Sequence, residues 1–154
     1  MKTELQVLNQ LKQVIATELN NYLSEDEDNH DLLEEINADN VVIGFPDLDN
    51  MKKNTMFYIT PDFEEITDLS MGTDFASMNS NLFIMCKGAK NEILIKKVFG
   101  YYTALYALIR DNQTLDNFVD FSRINDMDFY PAVTASTTMT AIEVSISIQW
   151  AKCF

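Results

Sequence analysis

The sequence predicts an α+β fold: an antiparallel or mixed sheet of about five strands with two main helices packed on it, in the order α-β-β-β-α-β-β. Three observations predict it. Residues 4–23 and 91–110 repeat apolar side chains at the helical period. Ala141 to Trp150 alternates strictly, with Ile142, Val144, Ile146, Ile148 and Trp150 against Glu143, Ser145, Ser147 and Gln149. Between and before these, short apolar runs bounded by Pro, Gly and Asn follow one another with few helical segments between them. At 154 residues the chain suits one domain spanning 1–154 and can bury a core without disulfide or metal staples.

The elements read in order as follows. In residues 4–23, Leu8, Leu11, Ile15, Leu19 and Tyr22 form one helical stripe, with Thr3 as N-cap and Gln6 completing a weak capping box. Residues 24–39 read as an acidic loop insertion, with a helical turn around Leu32, Leu33 and Ile36. Val41 to Phe45 is a short buried strand closed by Pro46. Thr55 to Ile66 is a second strand, which Pro61 restricts to an edge, a bulge or a break. Asp68 to Ser80, rich in Ser, Asp, Met and Gly, reads as a long loop. Asn81 to Lys87 is a third strand, terminated by Gly88.

Asn91 to Arg110 is the second helix, N-capped by Asn91. Its two adjoining seams, Leu94-Val98-Tyr101-Leu105-Leu108 and Ile95-Phe99-Tyr102-Tyr106-Ile109, exceed an ordinary apolar stripe and predict a largely buried helix. Gly100, Thr103, Ala104 and Ala107 give it a small side for close approach to the sheet. Phe118 to Ala132 reads as a long strand bent by a bulge near Ile124-Asn125-Asp126. The clean strand from Ala141 to Trp150 follows.

The charge has an address. There are 24 Asp+Glu against 11 Lys+Arg, a formal net charge of −13, and 11 of the acids fall between Gln13 and Met51, where no Lys or Arg occurs. This balance opposes a broad grip on nucleic-acid phosphates or on anionic lipid. The apolar stretch from Val98 to Ile109 is about 12 residues, short of the ~20 a bilayer span needs. The start lacks the apolar core of a signal peptide, so the sequence predicts a soluble protein. Cys86 and Cys153 sit in apolar runs without metal-ligand spacing and read as reduced thiols.

The residues offer little chemistry, and the sequence predicts no enzyme, no cofactor and no metal site. The single histidine, His30, lies among carboxylates that favour its charged form, which a general base does not want. Neither Gly-x-Ser-x-Gly nor a phosphate loop occurs. With Asp26, Asp28 and His30 set at the first calcium-loop positions, Asp31 stands where glycine is required and Asn37 where the bidentate Glu is required. Lys87, Lys90, Lys96 and Lys97 form the one basic cluster, expected as a solvated face or a salt-bridge partner rather than a nucleic-acid site. Two segments are candidate interaction surfaces. One is the acidic run Glu25, Asp26, Glu27, Asp28 and Asp31; the other is Asp68, Met71, Asp74 and Phe75 of the 68–80 loop.

The layout is also familiar. A leading amphipathic helix precedes Val41-Val42-Ile43-Gly44-Phe45-Pro46 and Phe57-Tyr58-Ile59-Thr60-Pro61. Leu82-Phe83-Ile84-Met85-Cys86-Lys87-Gly88 then runs directly into the long helix, and a long strand and the alternating strand to Trp150 complete the order. As an order of elements this resembles the tail-terminator and tail-completion proteins of long-tailed bacteriophages and prophages. The resemblance implies a structural subunit that forms a ring, typically a hexamer, capping the tail tube and joining it to head-completion proteins, with DNA passing through the lumen unbound. It implies assembly in the cytoplasm and a final place in a virion or phage-like particle. It carries over no functional residue. The alternative is an acidic immunity or antitoxin-type protein, which would hold a basic toxin on the carboxylate-rich face of Glu25 to Glu35.

Overall fold

The computed structural model describes residues 1–47, 50–70, 72–130 and 139–153. Helices α1 (Glu4–Glu18) and α2 (Asn91–Asp111) pack on a five-stranded sheet of β1 (Val41–Ile43), β2 (Thr55–Ser70), β3 (Thr73–Lys87), β4 (Phe121–Tyr130) and β5 (Met139–Cys153). The strands lie in the order β1-β2-β3-β5-β4. β1 runs parallel to β2, and every other neighbouring pair is antiparallel, so the sheet is mixed.

α1 starts where the sequence places it. The Thr3 side chain accepts from Gln6 N, and the Gln6 side chain accepts from Thr3 N, a reciprocal capping box. The helix is shorter than the apolar stripe: after Glu18 the chain tightens into a 3-10 helix, Leu19–Glu25, which keeps Leu19 in the core. α2 begins at Asn91, as the sequence places it, but with a different N-cap. Lys90 is its N-cap and makes no side-chain cap, while Asn91 is already helical.

The predicted loop at 68–80 is the outer half of a hairpin. β2 extends to Ser70 and β3 starts at Thr73, with Asp68 opposite Asp74 and Thr67 opposite Phe75. Ala76, Met78, Ser80 and Leu82 are buried in alternation. Small and polar residues hide this period of two from a hydrophobicity reading, and Ser80 is tolerated inside because its hydroxyl donates to Thr60 O (3.2 Å). Pro61 sits at a register shift between Pro61 and Phe63, and a second shift falls at Ile124/Asp126, where the sequence predicts a bulge. Of the predicted strand at 118–132, residues 118–120 belong instead to the turn before β4, and residues 131 and 132 lie outside the described residues. That turn holds Leu115, Asp116 and Asn117 at φ 48°, 61° and 63°. Burial of Leu115 and acceptance by its carbonyl from Gln10 Nε2 (2.9 Å) offset the left-handed backbone.

The core between helices and sheet gathers Val7, Leu11, Ile15, Phe57, Ile59, Leu82, Leu94, Tyr101, Ile146 and Trp150. The opposite sheet face is polar over most of its length, as the alternation of β5 predicts. One end departs from that: Met51, Met56, Tyr58, Met85, Met139 and Ala141 form a second, smaller apolar cluster there.

Candidate interaction surfaces

The acidic segment is a strap fastened to the helices. Asn20, in the 3-10 stretch after α1, exchanges two hydrogen bonds with Ile36: Nδ2 donates to Ile36 O and Ile36 N donates to Oδ1, both at 2.8 Å. Tyr101 of α2 does the same one step away, its hydroxyl donating to Glu34 O (2.8 Å) and accepting from Glu34 N (2.9 Å). Burial pushes that phenol up to about 12. Leu33 lies against Gly100, where an added Cβ would stand 2.9 Å from Leu33 Cδ2. The close approach that Gly100 permits is thus to the strap, not to the sheet. With the Glu34 and Ile36 backbone groups paired in this way, Glu25, Glu27, Asp28 and Asp31 are all exposed and Asp26 is half-buried. Asp26 accepts from Asn29 Nδ2 (3.0 Å), and His30 Nε2 lies 3.1 Å from Asp31 Oδ1. Among the described residues no Lys or Arg pairs with these acids, and no three metal-ligating side chains converge.

The second predicted group lies elsewhere. Asp68, Asp74 and Phe75 sit at the far end of the β2–β3 hairpin, where Asp68 faces Asp74 across the ladder. Met71 lies outside the described residues. The structure does not bring this group together with the acidic strap: among the described residues no hydrogen bond or ion pair joins them. The basic cluster is also less uniform than predicted. Lys96 pairs with Glu92 (3.3 Å), Lys87 donates to Met51 O (3.0 Å), and Lys97 is buried at 7% exposure.

Two apolar patches stand at opposite edges of the sheet, and neither was among the predicted sites. Beside β2, a groove with a volume of about 330 Å³ runs against α1, lined by Leu5, Leu8, Pro61, Phe63 and Met78. Leu5 is 60% and Phe63 56% exposed. Carboxylates rim it. Glu4 and Glu64 share Lys152, whose Nζ pairs with Glu4 Oε1 and lies 3.4 Å from Glu64 Oε1 without forming a hydrogen bond to it. The hydrogen bond to Lys152 holds Glu4 below the usual carboxylate range, whereas burial pushes Glu64 above it. Beside β4, the second seam of α2 is buried only at Ile109, less than predicted. Ile95 and Tyr106 are exposed and Phe99 and Tyr102 half-buried, with Phe129 of β4 stacked on Phe99 at 5.6 Å. One sheet cannot cover two full seams, and that excess is the signal in the sequence for this patch. Arg110 and Arg123, the chain's two arginines, flank Tyr106 around a small cavity of about 90 Å³.

No protein-family model matches the chain, and no curated protein does. Among solved structures it is similar to a chain from the virion of a native gene transfer agent particle, with a TM-score of 0.36 and 13% identity over 87% of this chain and 92% of that one.

No described helix is long and apolar enough to cross a membrane. The described surface thus presents three chemically different areas on one sheet-and-helix scaffold: a carboxylate strap over the helices, a groove at the β2 edge and an aromatic ridge at the β4 edge.

Proposed function

We propose that this chain is a structural subunit of a phage-like tail, of the tail-terminator kind, which assembles with copies of itself into a ring and does no catalysis. The observation that carries this is the pair of unlike apolar patches at opposite edges of one sheet. A closed ring is built from a heterologous contact, in which one patch of each subunit meets a different patch of the next. The order of elements, which resembles that of tail terminators, supports the placement in a tail. In this role the ring would join the tail tube to head-completion proteins, and its acidic surface would leave passing DNA unbound. Light scattering coupled to size exclusion, with negative-stain imaging, tests it. A concentration-dependent closed ring is expected, and a strict monomer at millimolar protein would overturn it.

A second reading, an acidic immunity-type protein holding a basic toxin, is favoured by one observation: the strap's carboxylates are held outward with no Lys or Arg paired to them among the described residues. It predicts binding to a cationic protein that weakens steeply with salt. Salt-insensitive binding would count against it.

A further inference from the structure

The registers of the sheet place the two edges on common rungs. Arg123 pairs with Ser147, Ser147 with Asn79, and Asn79 with Phe63, so Arg123 on one edge stands level with Phe63 on the other. By the same route Phe121 is level with Glu65, through Gln149 and Ser77. Asp128 is level with Tyr58, through Glu143 and Phe83, and Tyr58 is where β1 pairs.

The charges on these rungs are complementary in order. Along the β4 edge, Arg123, with Arg110 of α2 beside it, is followed by Asp126 and Asp128. Along the opposite edge, Asp62, Glu64 and Glu65 are followed by a hollow of about 700 Å³ beside β1 that Lys12, Lys52 and Lys53 line together with Asp39 and Asp47. No Lys or Arg occurs from Asn54 to Cys86, so the β2–β3 hairpin carries no cation before Lys87, its last residue. Among the described residues, Arg110 pairs only with its neighbour Asp111 (3.2 Å), and Arg123 donates to Asn125 (2.9 Å); both arginines are exposed. Each edge also presents strand backbone to solvent. Among the described residues, β4 pairs only with β5, and β2 loses its outer partner beyond Thr60. β4 runs opposite to β2, so the two edges can meet as an antiparallel pair.

We propose that the partner of the β2 edge is a second copy of this chain, seated by its β4 edge, with Arg110 and Arg123 of one copy against Asp62, Glu64 and Glu65 of the next, and Tyr106 against the Leu5–Phe63 groove. A rotation about an axis along the strands keeps every residue at its own height, so matched rungs are what a ring about that axis requires. The alternating order of charge sets the register and rejects a slipped one. This rests on the assembly reading above.

Two double variants test it: Arg110→Glu with Arg123→Glu, and Asp62→Lys with Glu65→Lys. All four side chains are exposed, and thermal melts check that each variant folds. Each alone is expected to stay monomeric at a concentration tenfold above that at which the wild type assembles. An equimolar mixture is expected to restore a particle of wild-type mass, because every contact in it is again between opposite charges. A wild type that assembles while both variants assemble equally well, or variants that the mixture does not rescue, would overturn this contact and leave the ring standing. A wild type that stays monomeric would overturn the assembly reading together with it.

Discussion

Replacing Tyr101 by Phe removes one oxygen and leaves the ring, which still meets Phe57 edge-on with centroids 5.7 Å apart. The lost hydroxyl both donates to and accepts from Glu34, so the variant leaves two backbone groups of a partly buried strap without their partner. Each such bond contributes about 0.5–1.5 kcal/mol net, which sets the expected loss at about 1–3 kcal/mol. For a chain of this size a loss of about 2 kcal/mol lowers Tm by about 4–8 °C. Urea titration measures the first quantity and a thermal melt the second. Hydrogen exchange locates the effect, with the amides of Glu34 and Ile36 accelerating before those of β3. The pH dependence adds a sign. With the phenol at 10.0 unfolded and about 12 folded, the unfolded chain gives up its proton first, so Tyr101 costs wild-type stability as pH rises through that window. The gap between wild type and variant should therefore narrow from pH 10 to pH 12. A variant within about 0.3 kcal/mol of wild type, with Glu34 exchange unchanged, would show that the strap is held by something other than this clamp.

Three further outcomes follow from the same geometry. Lys152→Met strips Glu4 and Glu64 of their shared cation; a loss of about 1–3 kcal/mol is expected at pH 7. Because the Glu64 carboxyl is already raised, protonation relieves the loss, so urea titrations at pH 4 should show a smaller deficit, and an equal one would contradict the assignment. Gly100→Ala drives a methyl into Leu33 and should cost about 1–3 kcal/mol and open residues 24–39 to proteolysis, while adding Leu33→Ala should recover part of that cost, a coupling that a double-mutant cycle detects. Cys86 is buried with its thiol pushed from 9.0 to about 11, roughly a hundredfold less thiolate at a given pH, so in a Cys153→Ser background alkylation should wait on unfolding; rapid labelling of the native protein would refute the burial.

The element order was legible because the helical and alternating periods of α1, α2 and β5 survive in side chains that are unambiguously apolar or polar. The hairpin end was not, because Ala76, Ser77, Asn79 and Ser80 fill buried and half-buried strand positions with residues whose composition belongs equally to loops. The strap was legible in its charge but not in its anchoring. Asn20 and Tyr101 act across 16 and 67 residues through backbone partners, and Gly100 across 67 through the Leu33 side chain, relations no local spacing carries. The edge patches failed for a related reason. A surplus of apolar residues on α2 can be counted in the sequence, but which seam the sheet leaves bare depends on the helix's rotation against β3 and β5. Arg110 and Arg123 lie 13 positions apart and meet only because β4 turns back beside α2.

The strand order β1-β2-β3-β5-β4 has a consequence for synthesis. β5 is the last of the described strands to leave the ribosome, yet it sits between β3 and β4 and pairs with both along its length. Until it emerges, the nascent chain can close the β2–β3 hairpin and wind both helices, but β4 has no strand to join and β3 shows a bare inner edge. Closing that gap pairs residues more than 50 positions apart, as with Lys87 and Met139, and such long-range closures are slow. The window in which β3 lies open is therefore the one in which a trigger-type chaperone, or premature contact with another nascent copy, would act on this chain.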